Sequence, residues 1–244
     1  MRLNDHNDKV YFTAKDTSLT GIEREFDCLV FIGRFQPPHL GHIAVINKAL
    51  RHASRVIVLV GSAWQARSLR NPWRFEERRS LLRSCFDDAE NARLEIVPLL
   101  DALYNNDVWV RDVQRKVRDI AGHRSARLPR IGLIGASRGQ SSYYLSLFPQ
   151  WESVSVPLVE GISASQIRER LFRSPSSATD YLSTGATHDL SPGVCHALRD
   201  FADSQAHRQL LEEQTLLEQY RQAWANAPYP PIFVTVNAVV VQSG

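Results

Sequence analysis

Five short apolar runs, rich in β-branched residues, lie between residues 28 and 159. The runs cover residues 28–33, 55–62, 94–99, 129–136 and 153–159. Because apolar residues follow one another in these runs instead of alternating with polar ones, the runs predict strands that are buried on both faces. Between them, apolar residues recur at helical spacing, as at Ile43, Ile46 and Leu50 and again from Trp109 to Ile120. Strands and helices therefore alternate along the chain.

This alternation predicts an α/β fold: a doubly wound, Rossmann-like parallel sheet of five strands, with right-handed crossovers and helices on both faces. Ligands of such sheets bind at the carboxyl ends of the strands, where the strand order reverses. The loops that follow the strands are therefore the candidate sites.

The remaining segments have other patterns. We expect residues 1–26, which are polar and without periodicity, to form a loosely ordered extension of the domain at 27–196. Residues 197–227 are typical of a helical connector that ends at a proline cluster. The pattern of residues 228–244 indicates one terminal strand, which either joins the edge of the sheet or begins a further unit.

Composition narrows the class of protein. With 43% hydrophobic and 23% charged residues, the chain is neither collagen-like nor wholly disordered. No apolar run approaches the ~20 residues of a membrane-spanning helix, and the N-terminus lacks the apolar core of a secretory signal, so we expect a cytoplasmic protein without a membrane partner. The 3 cysteines have no CxxC spacing, which argues against a disulfide framework and against a zinc site.

The net charge of the chain gives little information about its binding partners. A net charge of +3 is weak evidence for a nucleic-acid partner, and we expect none. Of the 29 Lys and Arg residues, 25 are arginine, whose planar fork suits phosphate oxygens. GC-rich coding explains the same bias equally well.

The first predicted strand is followed by the run GRFQPPHLGH, which begins at Gly33. The chain passes into a proline-stiffened loop, and a second glycine, Gly41, precedes a helix with His42 in its first turn. A helix N-terminus presents unpaired N–H groups and a partial positive charge, to which Arg34, His39 and His42 can add hydrogen bonds. Since the run has no carboxylate or thiolate to complete a metal's coordination shell, it predicts a phosphate site.

A second motif, GISASQIR, begins at Gly161 after the fifth predicted strand. Ser163 followed by Gln166 fits a capping box at the start of a helix. Capping does not explain Ser165 or Arg168, because a basic residue is unfavourable near the positive end of a helix dipole. A bound phosphate would reverse that penalty, so the motif predicts further phosphate contacts.

Both motifs resemble signatures of the nucleotidyltransferase superfamily that carries an HxGH motif, in particular of nicotinamide mononucleotide (NMN) adenylyltransferases. The second matches the family's ISxTxIR pattern, with Ser165 in place of Thr. The resemblance implies a catalytic role for His39, His42 and Arg168. It implies ATP binding by Gly33, Arg34, Phe35, Gly41, Arg70, Ser163 and Ser165. Pro38 stands where the family usually has phenylalanine, which we expect to change loop packing but not the phosphate donors.

The acceptor is predicted from the middle of the chain. Residues 61–79 resemble the family segment after the second strand, which implies a phosphate-binding arginine at Arg70 and an NMN contact at Asn71. The same run also fits a helix that begins with Asn71 as its N-cap and Pro72 at its first position.

Residues 97–110 resemble the family segment that forms the nicotinamide pocket, which implies NMN binding by Asp101, Asn106 and Trp109. A flat indole suits a cationic pyridinium ring through cation–π attraction. By spacing alone, however, Trp109 is more typical of a core residue.

The resemblance implies transfer of AMP from ATP to NMN, which yields NAD and pyrophosphate. ATP and NMN are then the small-molecule partners, Mg²⁺ is held mainly by the ATP phosphates, and a homo-oligomer is left open. Adenylyl or cytidylyl transfer to another phosphorylated acceptor, such as pantetheine phosphate, and a non-catalytic nucleotide-binding module are the alternatives. Residues 228–244 resemble the first strand of the Nudix domain in bifunctional NMN adenylyltransferase/Nudix proteins, but the acidic Nudix signature is absent from the sequence, so no diphosphatase activity is predicted.

Overall fold

The computed structural model describes residues 24–102, 105–122, 128–136, 146–157, 159, 161–174 and 176–229. In this part of the chain, five strands form one sheet: β1 (Phe26–Gly33), β2 (Ala53–Val60), β3 (Leu94–Pro98), β4 (Ile131–Ala136) and β5 (Glu152–Val156). All neighbouring strands pair in parallel, in the order β3-β2-β1-β4-β5. The predicted doubly wound sheet of five parallel strands is therefore confirmed.

Helices connect and flank the strands. They are α1 (Leu40–His52), α2 (Phe75–Arg83), α3 (Asp88–Asn91), α4 (Asn106–Ala121), α5 (Ala164–Phe172), α6 (Ser177–Thr184), α7 (Pro192–Ala202) and α8 (Gln205–Ala223). A short 3₁₀ turn at residues 186–188 joins α6 to α7.

The sheet is buried on both faces because successive side chains of a strand point to opposite sides. Leu29 and Phe31 of β1 pack with the apolar faces of α1 and α2. Val30 and Ile32 pack on the other face with α4 and with Phe148. The continuous apolar runs of the sequence are explained by this two-sided burial.

A second apolar core joins α5, α6, α7 and α8, and it also includes Trp73 and Leu81 from the segment after β2. Leu198 of α7 and Leu210 of α8 are both buried there. The boundary predicted at residue 197 thus falls inside α7. The predicted connector is not one helix but contains the end of α7 and the whole of α8, with a break at residues 203–204. Ser204 is the N-cap of α8, and its side chain accepts a hydrogen bond from the His207 N–H.

Both ends of the chain were predicted to lie outside the α/β domain. Phe26, which was predicted to lie in the extension, is the first residue of β1. The rest of that extension up to residue 23, and the predicted terminal strand from residue 230 onward, lie outside the described residues. All three cysteines are free thiols. Within the ranges described above, no helix is long and apolar enough to span a membrane.

Candidate functional site

A cleft of about 330 Å³ opens at the carboxyl end of β1, between the N-terminus of α1 and the N-terminus of α5. This is the edge at which the strand order reverses between β1 and β4. We call it the main cleft. Its walls include the three predicted catalytic residues and every predicted ATP-binding residue except Arg70: Gly33, Arg34, Phe35, His39, Gly41, His42, Ser163, Ser165 and Arg168.

The loop after β1 brings an aromatic ring beneath the cleft. Phe35 has a positive φ of 52° and is 1% exposed. A Cβ atom on Gly33 would lie 2.9 Å from the Phe35 ring, so only glycine leaves room for it. The Phe35 ring in turn contacts the His42 ring, with 4.8 Å between the centroids. The loop therefore supports the histidine from below.

The two imidazoles of the main cleft face each other, with 3.7 Å between the ring centroids of His39 and His42. His39 is the N-cap of α1, so the helix begins at Leu40 and includes Gly41, two residues earlier than predicted. The backbone N–H of His39 donates to Nδ1 of His42 over 3.3 Å. A neutral His42 therefore carries its hydrogen on Nε2, where it can be donated to a ligand.

Burial keeps both rings uncharged at neutral pH. It lowers the pKa of His39 to about 4, against an opposing effect of the Asp189 carboxylate. The pKa of His42 lies well below its ordinary value, first because of burial and second because of the neighbouring His39. Nδ1 of His39 is buried and has no hydrogen-bond partner within the described part of the chain. The two uncharged rings can therefore act on a ligand as hydrogen-bonding groups and not as cations.

The opposite wall of the main cleft is the first turn of α5. Ser163 is the N-cap, as predicted, and its Oγ accepts a hydrogen bond from the N–H of Gln166 over 3.2 Å. Arg168 donates one hydrogen bond to Ser165 Oγ, at 3.1 Å, and another to the carbonyl oxygen of Gln36, at 2.7 Å. Arg168 therefore ties the second motif to the first.

Three guanidinium groups concentrate positive charge at this edge of the sheet. The pKa of Arg168 falls to about 10 because of burial and because of the nearby charges of Arg34 and Arg70. Burial and then Arg70 also lower the pKa of Arg34, while Asp101 opposes the shift. Arg70 does not line the cleft, but its charge acts on both of the arginines that do. Among the described residues, none of the three forms an ion pair, so a polyanion would find unpaired cations here.

None of the predicted NMN-binding residues lines the main cleft. Oδ1 of Asp101 accepts a hydrogen bond from the Ser62 N–H at 3.0 Å, beside the loop that follows β2. Trp109 lies on α4 and lines a separate pocket of about 390 Å³, opposite Trp64. The half-buried Trp109 ring also packs against Phe148, with 5.8 Å between the centroids. Trp109 thus has both a core contact and a face on a pocket.

Asn106 is the first residue of α4 and is exposed. Its neighbour Asn105, which the sequence analysis did not single out, is the N-cap and accepts a hydrogen bond from the Val108 N–H at 3.0 Å. Residues 103–104, between Asp101 and this cap, lie outside the described residues.

The alternative helix start at Asn71 is wrong. Helix α2 begins at Phe75 with Arg74 as its N-cap, and Glu77 accepts a hydrogen bond from the Arg74 N–H at 2.7 Å. The segment before Phe75 stays outside the helix because the backbone N–H and carbonyl of Trp73 pair with the side chain of Gln36. The Asn71 N–H donates to the Ser68 carbonyl at 3.0 Å, while the Asn71 Oδ1 is buried without a partner in the described residues.

Sequence reasoning missed two residues that hold the main cleft together. Gln36, 1% exposed, exchanges two hydrogen bonds with the backbone of Trp73, at 2.8 and 3.1 Å. Asp189 is buried, and its backbone carbonyl accepts the Leu40 N–H at the start of α1, at 2.8 Å. Gln36 lies inside the first motif and could have been suspected from its apolar surroundings. Asp189 lies far along the chain, with no local signal.

Comparison with known proteins agrees with this geometry. A nicotinamide/nicotinic acid mononucleotide adenylyltransferase of Acinetobacter baylyi is 36% identical over 190 residues, which are 78% of this chain and 94% of that protein. A nicotinamide-nucleotide adenylyltransferase of Aeropyrum pernix is 45% identical over 85 residues, which are 34% of this chain and 49% of that protein. The match thus spans about half the length of the archaeal relative.

A solved structure is similar as well. The crystal structure of a bifunctional NMN adenylyltransferase/ADP ribose pyrophosphatase from Francisella tularensis, complexed with AMP and a Mn ion, matches with a TM-score of 0.69 and 28% identity. The match covers 85% of this chain and 58% of that one. Residues 30–170 also match the family model described as cytidylyltransferase-like. Both motifs lie within this range, and the chain belongs to the cytidylyltransferase-like family.

Proposed function

We propose that this chain transfers AMP from ATP to nicotinamide mononucleotide, forming NAD and pyrophosphate. The observation that carries the proposal is that His39, His42 and Arg168, from two motifs far apart in the sequence, line one cleft. The names of the relatives from Acinetobacter baylyi and Aeropyrum pernix support the same reaction and the same acceptor.

The main cleft offers hydrogen-bond donors where a triphosphate needs them. The first turn of α1 places the positive end of the helix dipole at the main cleft, and Nε2 of His42 adds a neutral donor. Arg168 and Ser165 face them from α5. These groups would hold the phosphates and stabilise the charge that develops on the leaving pyrophosphate.

The proposed chemistry is an in-line displacement. An oxygen of the NMN 5′-phosphate attacks the α-phosphorus of ATP, the bond between the α-phosphorus and the bridging oxygen breaks, and pyrophosphate leaves with the bonding electrons. No covalent intermediate with the protein is needed. Catalysis of this kind depends on positioning and on charge neutralisation, which the arginines and histidines of the cleft can supply.

Mg²⁺ would enter with ATP as part of the substrate. Within the described ranges, no group of three or more His, Cys, Asp or Glu side chains is placed to hold a metal ion. The ATP phosphates would therefore provide most of its ligands. The Mn ion named with AMP in the Francisella tularensis structure supports the use of a divalent metal.

The acceptor would lie between the main cleft and the Trp109 pocket. Asp101 and Arg34 both lie next to Gly61, since a Cβ atom there would be 3.9 Å from Asp101 Oδ1 and 3.8 Å from Arg34 Cγ. Arg34 could thus approach the NMN phosphate while the ring extends toward Trp109. Asn71 and Asn106 are proposed as further NMN contacts.

The test is direct. The purified protein is incubated with ATP, Mg²⁺ and either NMN or nicotinic acid mononucleotide, and dinucleotide and pyrophosphate are quantified. We expect equal amounts of both products. CTP in place of ATP, and pantetheine phosphate in place of NMN, test the alternative reactions. Calorimetric binding of ATP without release of pyrophosphate under any of these conditions would contradict the proposal and support a non-catalytic nucleotide-binding module.

The acceptor has its own test in Trp109→Ala. Loss of a desolvated cation–π contact is worth about 1–2 kcal/mol, so we expect KM for NMN to rise about 5- to 30-fold while KM for ATP stays unchanged. Trp224→Ala, at a 45% exposed indole in the C-cap position of α8, is the control and should leave both constants unchanged. An unchanged KM for NMN in Trp109→Ala would remove Trp109 from the acceptor site.

A further inference from the structure

Arg78 is a cation buried without a carboxylate partner. Its side chain is 0% exposed, and within the described residues it forms no ion pair. Burial lowers its pKa to about 10, so it remains charged at neutral pH. A buried charge is costly unless hydrogen bonds compensate it, and here backbone carbonyl groups accept those hydrogen bonds, while the carboxylates of Asp101 and Glu77 favour the charged form without an ion pair.

One of these carbonyl groups is that of Arg74, the N-cap of α2, which accepts a hydrogen bond from Nε at 3.4 Å. The other three belong to the two loops that the proposed substrates would contact. Nη1 of Arg78 donates to the carbonyl oxygens of Arg34 and Gly61, both at 2.7 Å, and Nη2 donates to that of Ser62 at 3.0 Å. Arg34 follows β1, while Gly61 and Ser62 follow β2. The guanidinium therefore joins the ends of two neighbouring parallel strands, below the loops that leave them.

Ser62 shows why such a tie is needed. It has a positive φ of 51°, a conformation that is unfavourable for a residue with a Cβ atom. Arg78 holds its carbonyl oxygen, and Asp101 accepts a hydrogen bond from its N–H at 3.0 Å. A strained residue persists when its surroundings fix it on several sides. Removal of Arg78 would release Ser62 and, with it, the orientation of the Asp101 carboxylate.

On these grounds we propose that Arg78 is a positioning residue. It fixes the position of the loop at Arg34, on the ATP side, relative to the loop at Ser62, on the acceptor side. This inference rests on the function proposed above and adds to it a residue that touches neither substrate. Lysine cannot replace the fork, because one ammonium group cannot reach three carbonyl oxygens in the same geometry. The effect would act through Arg34 and Asp101.

The chain contains a matched control in Arg93. Its guanidinium also donates to three backbone carbonyl groups, those of Leu50, Ala53 and Ser54. These carbonyl groups lie at the end of α1 and the start of β2, which is the edge of the sheet opposite the main cleft. Arg93→Lys therefore measures the stability lost when an arginine fork is replaced, without any effect on the two loops.

The experiment compares wild-type protein, Arg78→Lys, Arg78→Gln and Arg93→Lys by thermal unfolding and by steady-state kinetics with ATP and NMN. Both lysine variants should have a lower Tm. Because a shift of about 1 Å in a reacting group can cost ~100-fold in rate, we expect kcat/KM to fall on that order in Arg78→Lys, further in Arg78→Gln, and not in Arg93→Lys.

Three results would overturn the inference: wild-type kinetics in a folded Arg78→Lys, an equal kinetic loss in Arg93→Lys, or failure of both Arg78 variants to fold, which would make Arg78 a determinant of the fold alone. Binding of ATP by calorimetry separates this test from that of the proposed function. If the wild-type protein binds ATP but forms no dinucleotide, the reaction is wrong, while weaker ATP binding in Arg78→Lys than in Arg93→Lys still supports positioning.

Discussion

In the proposed reaction, His42 is the residue on which the chemistry of the main cleft depends most directly. Its Nδ1 is held by the His39 N–H, which leaves Nε2 free to donate into the cleft. Loss of one donor to a developing negative charge costs about 10²–10³ in kcat, so we expect His42→Ala to lose nearly all dinucleotide synthesis. Circular dichroism should show an intact fold. Since His196 is exposed on α7, His196→Ala is the control.

A normal kcat in His42→Ala would show that the His42 imidazole has no part in the reaction. The same assay on His196→Ala should match the wild-type rate.

The uncharged state of His39 makes stability depend on pH. Its pKa is about 4 in the folded protein, whereas an unfolded histidine titrates near ~6.5. Between these values the unfolded chain binds more protons, so this contribution to the free energy of unfolding is complete above about pH 6.5 and is lost as the pH falls toward 4. We expect the drop in Tm between about pH 7.5 and pH 5 to be smaller in His39→Asn than in the wild-type protein.

The drop should be reduced and not abolished, because burial also lowers the pKa of His42 and His207. Identical drops in Tm for wild-type protein and His39→Asn would contradict the assignment of a buried, neutral imidazole.

At the scale of the elements, two serine N-caps allow the effect of a helix cap on stability to be measured separately from its effect on ATP binding. Ser163 caps α5 and Ser204 caps α8, and each accepts one backbone hydrogen bond, at 3.2 and 3.1 Å. Replacement of either serine by alanine should lower the free energy of unfolding by about 1 kcal/mol. Only Ser163→Ala should also weaken ATP binding, because α5 carries Ser165 and Arg168 into the main cleft.

Urea unfolding and calorimetric ATP titration of both variants check this. Equal ATP affinity in the two variants would mean that the N-terminus of α5 does not contact the nucleotide.

Elements were predictable where a local pattern decides them. Ser163 caps its helix because the hydroxyl group lies next to the N–H groups it satisfies, and the five strands follow from their continuous apolar runs. Helix α2 was misplaced because Asn71 and Pro72 form a good local start signal. The backbone of Trp73 instead pairs with the side chain of Gln36, and α1 and β2 separate these two residues along the chain. Local helix propensity does not decide where a helix begins when buried tertiary hydrogen bonds hold the backbone in another conformation.

At the scale of the whole molecule, the main cleft lies between two cores. His39 and His42 belong to the sheet side, whereas Arg168 projects from the helical core of α5 to α8. A triphosphate in the cleft would bind only the folded arrangement. At about 100 times its Kd, ATP should stabilise the protein by about 2.7 kcal/mol. In a chain of this size, that corresponds to about 5–10 °C in Tm.

We expect Arg168→Met to lose most of this shift in a thermal denaturation assay. Arg173 lies at the other end of α5 in an exposed ion pair with Glu169, at 3.5 Å, so Arg173→Met should keep the shift. A full ATP-dependent shift in Arg168→Met would argue against a nucleotide that bridges the two cores.

The sequence by itself determined the alternation of strands and helices and the positions of the two motifs, because these depend on local spacing and on residue chemistry. Only the tertiary structure decided what lies beneath the motifs. Gln36, Arg78 and Asp189 hold the walls together through hydrogen bonds to backbone groups of distant residues. A backbone carbonyl accepts a hydrogen bond whatever its side chain is, so such partners leave no mark on the sequence and appear only when the chain is folded.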